Sequence, residues 1–231
     1  MSETSGYKTL LFEVNDGVGH LILNQPPSNR MSLEFFSELA AFTSNLQVMK
    51  DIRALVISGK GRHFSSGADL EELTVFLSPS YEEGEGRDET VKNFMNRNIE
   101  TFRSLWECRV PVIAAIRGVC LGSASELAMF CHFRFCGDDA LFGLPESTFG
   151  LMPGIGGVSR MVSLAGPAMA LELALKGNTF GATDAIKYCL ADRIIPKREV
   201  VSFALQFASS LPGNYRKEKS PLYLQRTVSH A

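Results

Sequence analysis

Two glutamates occupy one stretch, 122-GSASELAMFCHFRFCGDDALFGLPE-146. Glu126 falls in the first turn of an apolar helical run that opens on Gly122-Ser123. There the helix macrodipole favours its charged form. Glu146 follows Pro145 inside the apolar segment 141-LFGLPESTFGLMPG-154. A carboxyl in such surroundings is partly desolvated, which raises its pKa and suits an acid or base near neutrality. Two carboxylates in unlike environments let one site run acid and base steps together. Each also has an ordinary reading: a capping or solvated residue for Glu126, a surface turn residue for Glu146.

Two glycine-containing turns come next, 65-SSGADLEEL-73 and 118-GVCLGSASEL-127. Each follows an expected strand, so both lie outside the carboxyl ends of strands, where α/β sheets bind ligands. Glycine lets backbone approach a ligand closely, and a helix start leaves N–H groups unpaired. Two such groups aimed at one point form an oxyanion hole. The plainer reading is that these glycines only make tight turns.

Nucleophile patterns are weaker. Ser65, Ser66, Ser123 and Ser125 have no histidine or aspartate in recognisable register, and GxSxG does not occur. His63 reads as a surface turn residue and His132 as a core-edge residue. The 154-GIGG-157 segment lacks the GxGxxG spacing of a dinucleotide fingerprint.

These residues need a scaffold. Segment 8–26 reads as two strands around an Asn15-Asp16-Gly17 turn. In 33–49, Leu33, Phe36, Leu39, Phe42 and Leu46 recur at helical spacing, with Ser32 as N-cap. Short β-branched runs at 53–59, 111–116 and 133–137 read as buried strands. Helices are expected at 90–106, 122–131 and 158–166, then near 167–176, 182–189 and 198–211. Gly154, Gly156 and Gly157 are placed in a loop. The polar stretch 78–89 reads as a mobile surface loop or the edge of a pocket. Strands alternating with helices make an α/β protein with right-handed crossovers.

Composition bounds the function. The chain has 231 residues, 45% of them hydrophobic and 21% charged, ordinary values for one globular domain. The net charge of −2 offers no basic surface for nucleic acid or anionic lipid. No apolar run approaches the roughly 20 residues that span a bilayer. MSETSGYKTL carries no signal pattern. The five cysteines form no CxxC, and all but Cys108 sit in apolar runs, which reads as reduced, buried thiols in a cytoplasmic protein. His132 beside Cys131 and Cys136 lacks zinc-ligand spacing.

The chain resembles the crotonase superfamily, the enoyl-CoA hydratases and isomerases, from about Leu10 to Val200. The segments that carry the resemblance are 21-LILNQPPSNRMS-32, 64-FSSGADLEEL-73, 112-VIAAIRGVCLGSASELAM-129, 142-FGLPESTFGLMPGIGG-157 and 182-ATDAIKYCLADRII-195, in that order. The resemblance implies a spiral of ββα units over residues 1–195, with a short, dependent helical segment over 196–231. It implies an acyl-CoA thioester substrate and a trimer or dimer of trimers. Neither a metal nor a redox cofactor is implied, because CoA belongs to the substrate.

It also implies roles. The N–H groups of Ala68 and Ser123 would hold the thioester oxygen, next to Gly67 and Gly122. Glu126 would take a proton from the water adding to C3, and Glu146 would deliver one to C2. The CoA arm would lie along Arg62 to Leu70, past Ser66, Gly67, Ala68 and Asp69, mostly against main chain. The phenylalanines and the 78–90 segment would shape the acyl pocket. Isomerases generally keep only the second glutamate, so a hydratase leads. An isomerase or cyclic dienoyl-CoA hydratase follows, then a non-catalytic acyl-CoA-binding protein, with thioester decarboxylation or hydrolysis behind. Three departures bear on substrate size. Gly122-Ser123-Ala124 stands where Gly-Gly-Gly is usual, and Arg117 stands for a common asparagine. One helix and the basic tail 216–226 follow Val200, where relatives carry further helices.

Overall fold

The computed structural model describes residues 6–77 and 87–212. Its centre is a six-stranded sheet. In chain order the first strands are β1 (Leu10–Asn15), β2 (Val18–Leu23), β3 (Ala54–Gly59), β4 (Val112–Ile116) and β5 (Val119–Leu121). Then come β6 (Phe133–Gly137), β7 (Leu141–Gly143), β8 (Thr179–Gly181) and β9 (Arg193–Ile195). The large sheet runs β1-β2-β3-β4-β6-β9, and β5-β7-β8 form a second, three-stranded sheet. The β1–β2 hairpin is antiparallel; the other neighbours in the large sheet are parallel.

Why β3 and β4 read as unbroken apolar runs is clear from the layers. Successive strand side chains face opposite sides. Leu55 and Ile57 face one core with Val112, Ala114 and Ile116. Ala54 and Val56 face another with Ile113, Ala115 and Phe135. The first side is covered by α1 (Leu33–Leu46) and α3 (Arg87–Trp106), whose Phe35, Phe36, Leu39 and Phe102 are buried there. The second is covered by α8 (Val200–Ser210), through Val200, Ala204 and Ala208. A parallel sheet covered on both faces has no polar side to show.

Ser32 caps α1, its hydroxyl accepting from Phe35 N–H at 3.1 Å. The segment expected as a loop at 78–89 lies outside the described residues over 78–86, and α3 already includes 87–89. Helix α2 (Leu70–Leu77) is capped by Asp69, whose Oδ1 accepts from Glu71 N–H at 3.1 Å. The remaining helices are α4 (Ser123–Met129), α5 (Gly157–Ala165), α6 (Pro167–Lys176) and α7 (Ala182–Lys187). Gly157 therefore opens a helix instead of ending a loop. The three-residue strands β5, β7, β8 and β9 are too short to leave a period in the sequence.

The cysteine expectation needs one correction. Cys108, Cys120, Cys131 and Cys136 are buried, but Cys189 is exposed, at a left-handed φ of +60° just beyond α7. Burial pushes the Cys131 thiol up to about 12. No group of three or more potential metal ligands occurs among the described residues. No helix among them is long and apolar enough to cross a membrane. The basic tail 216–226 lies outside the described residues.

Candidate active site

The two glycine turns meet. Segment 64–65 lies beside 117–121: Phe64 N–H donates to Arg117 O at 2.8 Å, Ser65 N–H to Val119 O at 3.0 Å, and Leu121 N–H to Ser65 O at 3.2 Å. Gly67 sits at φ +88°, and a Cβ there would stand 2.5 Å from Leu121 O and 3.4 Å from Ser123 N. Only glycine lets the turns close so tightly. The N–H of Ala68 and that of Ser123, the first residue of α4, meet no acceptor among the described residues. Both residues line one cavity of about 420 Å³.

Ser66, Asp69, Leu70, Gly122, Glu126 and Glu146 line the same cavity. Arg62 and Gly67 do not. Arg62 is exposed on the turn after β3, and Gly67 is buried behind Ala68. The Asp69 carboxylate caps α2 and lies 3.4 Å from Arg30 at the cavity. Arg117 fastens the turn beneath, donating to Gly61 O at 2.8 Å.

Glu126 departs from the sequence expectation. It is buried, 1% exposed, and is neither a cap nor solvated. Its Oε1 accepts from Gly157 N–H at 2.8 Å and Ile155 N–H at 3.0 Å. Burial pushes its pKa up to about 7. The Glu146 charge adds to the rise, and the two amides oppose it. Burial thus overrides the helix dipole, which was expected to keep Glu126 charged. Glu146 sits in the 3₁₀ turn Pro145–Phe149, half-buried, and burial raises its pKa too. Its Oε2 is buried without a hydrogen-bond partner among the described residues. A Cβ on Gly122 would stand 3.1 Å from Glu146 Oε1, so this carboxylate faces the Gly122 turn.

The residues that grip Glu126 were missed by sequence reading. A Cβ on Gly157 would fall 2.4 Å from Glu126 Cγ. Within 154-GIGG-157 it is Gly157 whose missing side chain lets backbone touch the carboxylate, while Gly154 and Gly156 make room for Met95 and Phe130. Its signal was a glycine run immediately before a helix. Of the four candidate serines, two are occupied elsewhere: Ser65 Oγ donates to Asn29 O at 2.6 Å, and Ser125 Oγ lies 2.6 Å from Cys120 O; Ser66 and Ser123 line the cavity. His63 Nδ1 accepts from Val119 N–H, and His132 Nδ1 from Val112 N–H, so both tie down backbone.

The sequence pattern of the enoyl-CoA hydratase/isomerase family matches residues 13–222. The chain belongs to this family. Among similar members is the peroxisomal Delta(3,5)-Delta(2,4)-dienoyl-CoA isomerase of Arabidopsis thaliana. It is 33% identical over 230 residues, covering 96% of this chain and 80% of that protein. A probable mitochondrial enoyl-CoA hydratase of Dictyostelium discoideum is 33% identical over 215 residues, covering 93% of this chain and 70% of that one. Among solved structures, an enoyl-CoA hydratase/isomerase from Marinobacter aquaeolei superposes with a TM-score of 0.85 at 28% identity, over 96% of this chain and 84% of that one. The α/β architecture is therefore the crotonase-type fold. Its ββα unit is visible in β4-β5-α4, which carries both Ser123 and Glu126.

Proposed function

We propose that this enoyl-CoA hydratase/isomerase family member adds water across the 2,3 double bond of an enoyl-CoA thioester. One observation carries the reading: a single cavity is lined by two carboxyls of raised pKa and by two residues with unpaired N–H groups. Ala68 and Ser123 would donate to the thioester oxygen and stabilise the enolate as charge moves onto it. Glu126, ionised, takes a proton from water as its oxygen bonds to C3. Glu146, protonated, gives a proton to C2. A carboxyl near pKa 7 supplies either form at neutral pH, which suits that exchange.

Adding water forms a C–O bond at C3 and a C–H bond at C2 as the double bond and a water O–H bond break, with no net oxidation or reduction, so neither a metal nor a redox cofactor is part of the proposal. Ser66 to Leu70 would lie along the CoA arm, with the exposed Arg62 at its outer end. A trimer or dimer of trimers in the cytoplasm is part of the same proposal, supported by the family resemblance and the mostly buried thiols.

Isomerisation is the second reading. It is favoured by the 33% identity to a dienoyl-CoA isomerase across 96% of the chain. One carboxyl suffices to move a proton between carbons.

The test is loss of the conjugated enoyl-thioester absorbance with crotonyl-CoA. Glu126→Gln and Glu146→Gln are each expected to lower turnover at least ~10²-fold, with thioester binding little changed. Equal turnover in all three proteins would sink the mechanism. Absorbance lost without solvent oxygen entering the product would favour isomerisation.

A further inference from the structure

Asn98, on α3, is fully buried, and neither its Oδ1 nor its Nδ2 meets a hydrogen-bond partner among the described residues. The proposed mechanism makes no use of it. Folded interiors pair nearly all such groups, because an unmet buried amide is costly.

Its place is defined by its neighbours. Residues four apart share a helix face, so Phe94, Asn98 and Phe102 form one row. Both phenylalanines meet Phe36, with ring centroids 5.6 Å and 6.4 Å away. Phe36, Phe94 and Met95 line the cavity. A Cβ on Gly154 would stand 2.4 Å from Met95 Cε, so the tip of Met95 rests on the loop that grips Glu126. Asn98 therefore lies behind the aromatic wall and does not itself line the cavity. A thioester held at Ala68 and Ser123 would run its acyl chain against that wall.

We infer that Asn98 reads the acyl group: the protein selects thioesters whose acyl chain carries a hydroxyl beyond the reacting carbons. A hydroxyl both donates and accepts, so it answers Oδ1 and Nδ2 together. A plain alkyl chain would leave the amide as it stands, buried with nothing to bond. Met95 is unbranched and flexible, and it is the part of the wall that would have to give way for the hydroxyl to reach the amide. A site built to bond a hydroxyl discriminates strongly against the analogue that lacks it. The inference rests on the acyl-CoA reading of this cavity.

The test uses saturated thioesters, which bind without reacting. Calorimetry compares hexanoyl-CoA with the two hexanoyl thioesters hydroxylated at the penultimate or the terminal carbon. Wild type is expected to bind at least one hydroxylated form about 10-fold or more tighter. Asn98→Leu, or Asn98→Ala if the leucine variant fails to fold, is expected to bring that ratio close to one. Equal binding of all three by wild type overturns the inference and leaves the acyl-CoA reading standing. So does a preference that survives in the variant. Binding of none of them overturns both. A hydroxyl preference without turnover of any enoyl thioester would sink the hydratase mechanism alone.

Discussion

At Glu126, burial and two amide donors pull in opposite directions, and burial wins. The folded pKa of about 7 lies above the ordinary 4.5. Between those values the folded protein holds a proton that the unfolded chain has released. Stability therefore falls as pH rises through that window, by about 3 kcal/mol in all, and the penalty is absent below it. Urea unfolding at about pH 5 and pH 8 is expected to show this fall in wild type, and a shallower one in Glu126→Gln. Matching slopes would mean that Glu126 titrates normally. The same raised pKa makes the residue useful, since a carboxyl that ionises near neutrality exchanges protons readily.

Between residue and fold stand the short elements that aim the site. Helix α4 is seven residues long and wholly buried. It brings Ser123 N–H and the Glu126 carboxyl to the cavity from a single turn. The loop before α5 then grips that carboxyl with Ile155 and Gly157 N–H. Alanine at Gly157 puts a Cβ 2.4 Å from Glu126 Cγ, so the carboxylate has to move. A displacement on the order of 1 Å at a reacting group costs about 10²-fold in rate. Gly157→Ala is therefore expected to lose turnover on that scale while KM for the thioester moves far less. Wild-type kinetics in this variant would show that the grip does not position Glu126.

Across the whole molecule, the cavity proposed as the active site and the α8 layer lie on different sides of the large sheet. Ala204 is fully buried on α8, among Val56, Ile113, Ala115 and Phe135. A larger side chain cannot fit a close-packed layer without shifting it. Ala204→Leu is expected to destabilise by about 1–3 kcal/mol, lowering the thermal midpoint, while kcat and KM stay near wild type at low temperature. An unchanged midpoint would show that α8 docks loosely.

Much was legible in the order of residues alone. The β1–β2 hairpin, α1 with its Ser32 cap, and the buried strands β3, β4 and β6 follow from periodicity and turn chemistry, which are local. The ordered segments from Leu21 to Ile195 carry the family, because each glycine turn and each glutamate keeps its spacing. Local pattern could not show that Glu126 is sealed from water, because the residues packed on it and bonded to it include Ile155 and Gly157, some thirty positions on. Nor could it separate Cys189 from the four buried thiols, since an apolar neighbourhood in sequence is not burial in space. The three-residue strands had no period to read: β9 is held by the longer β6, and β5, β7 and β8 form only by pairing with one another. The sequence thus determined the fold class and the residue types able to do chemistry. Tertiary structure alone decided their solvation, and with it their proton affinities, because desolvation depends on everything packed around a group.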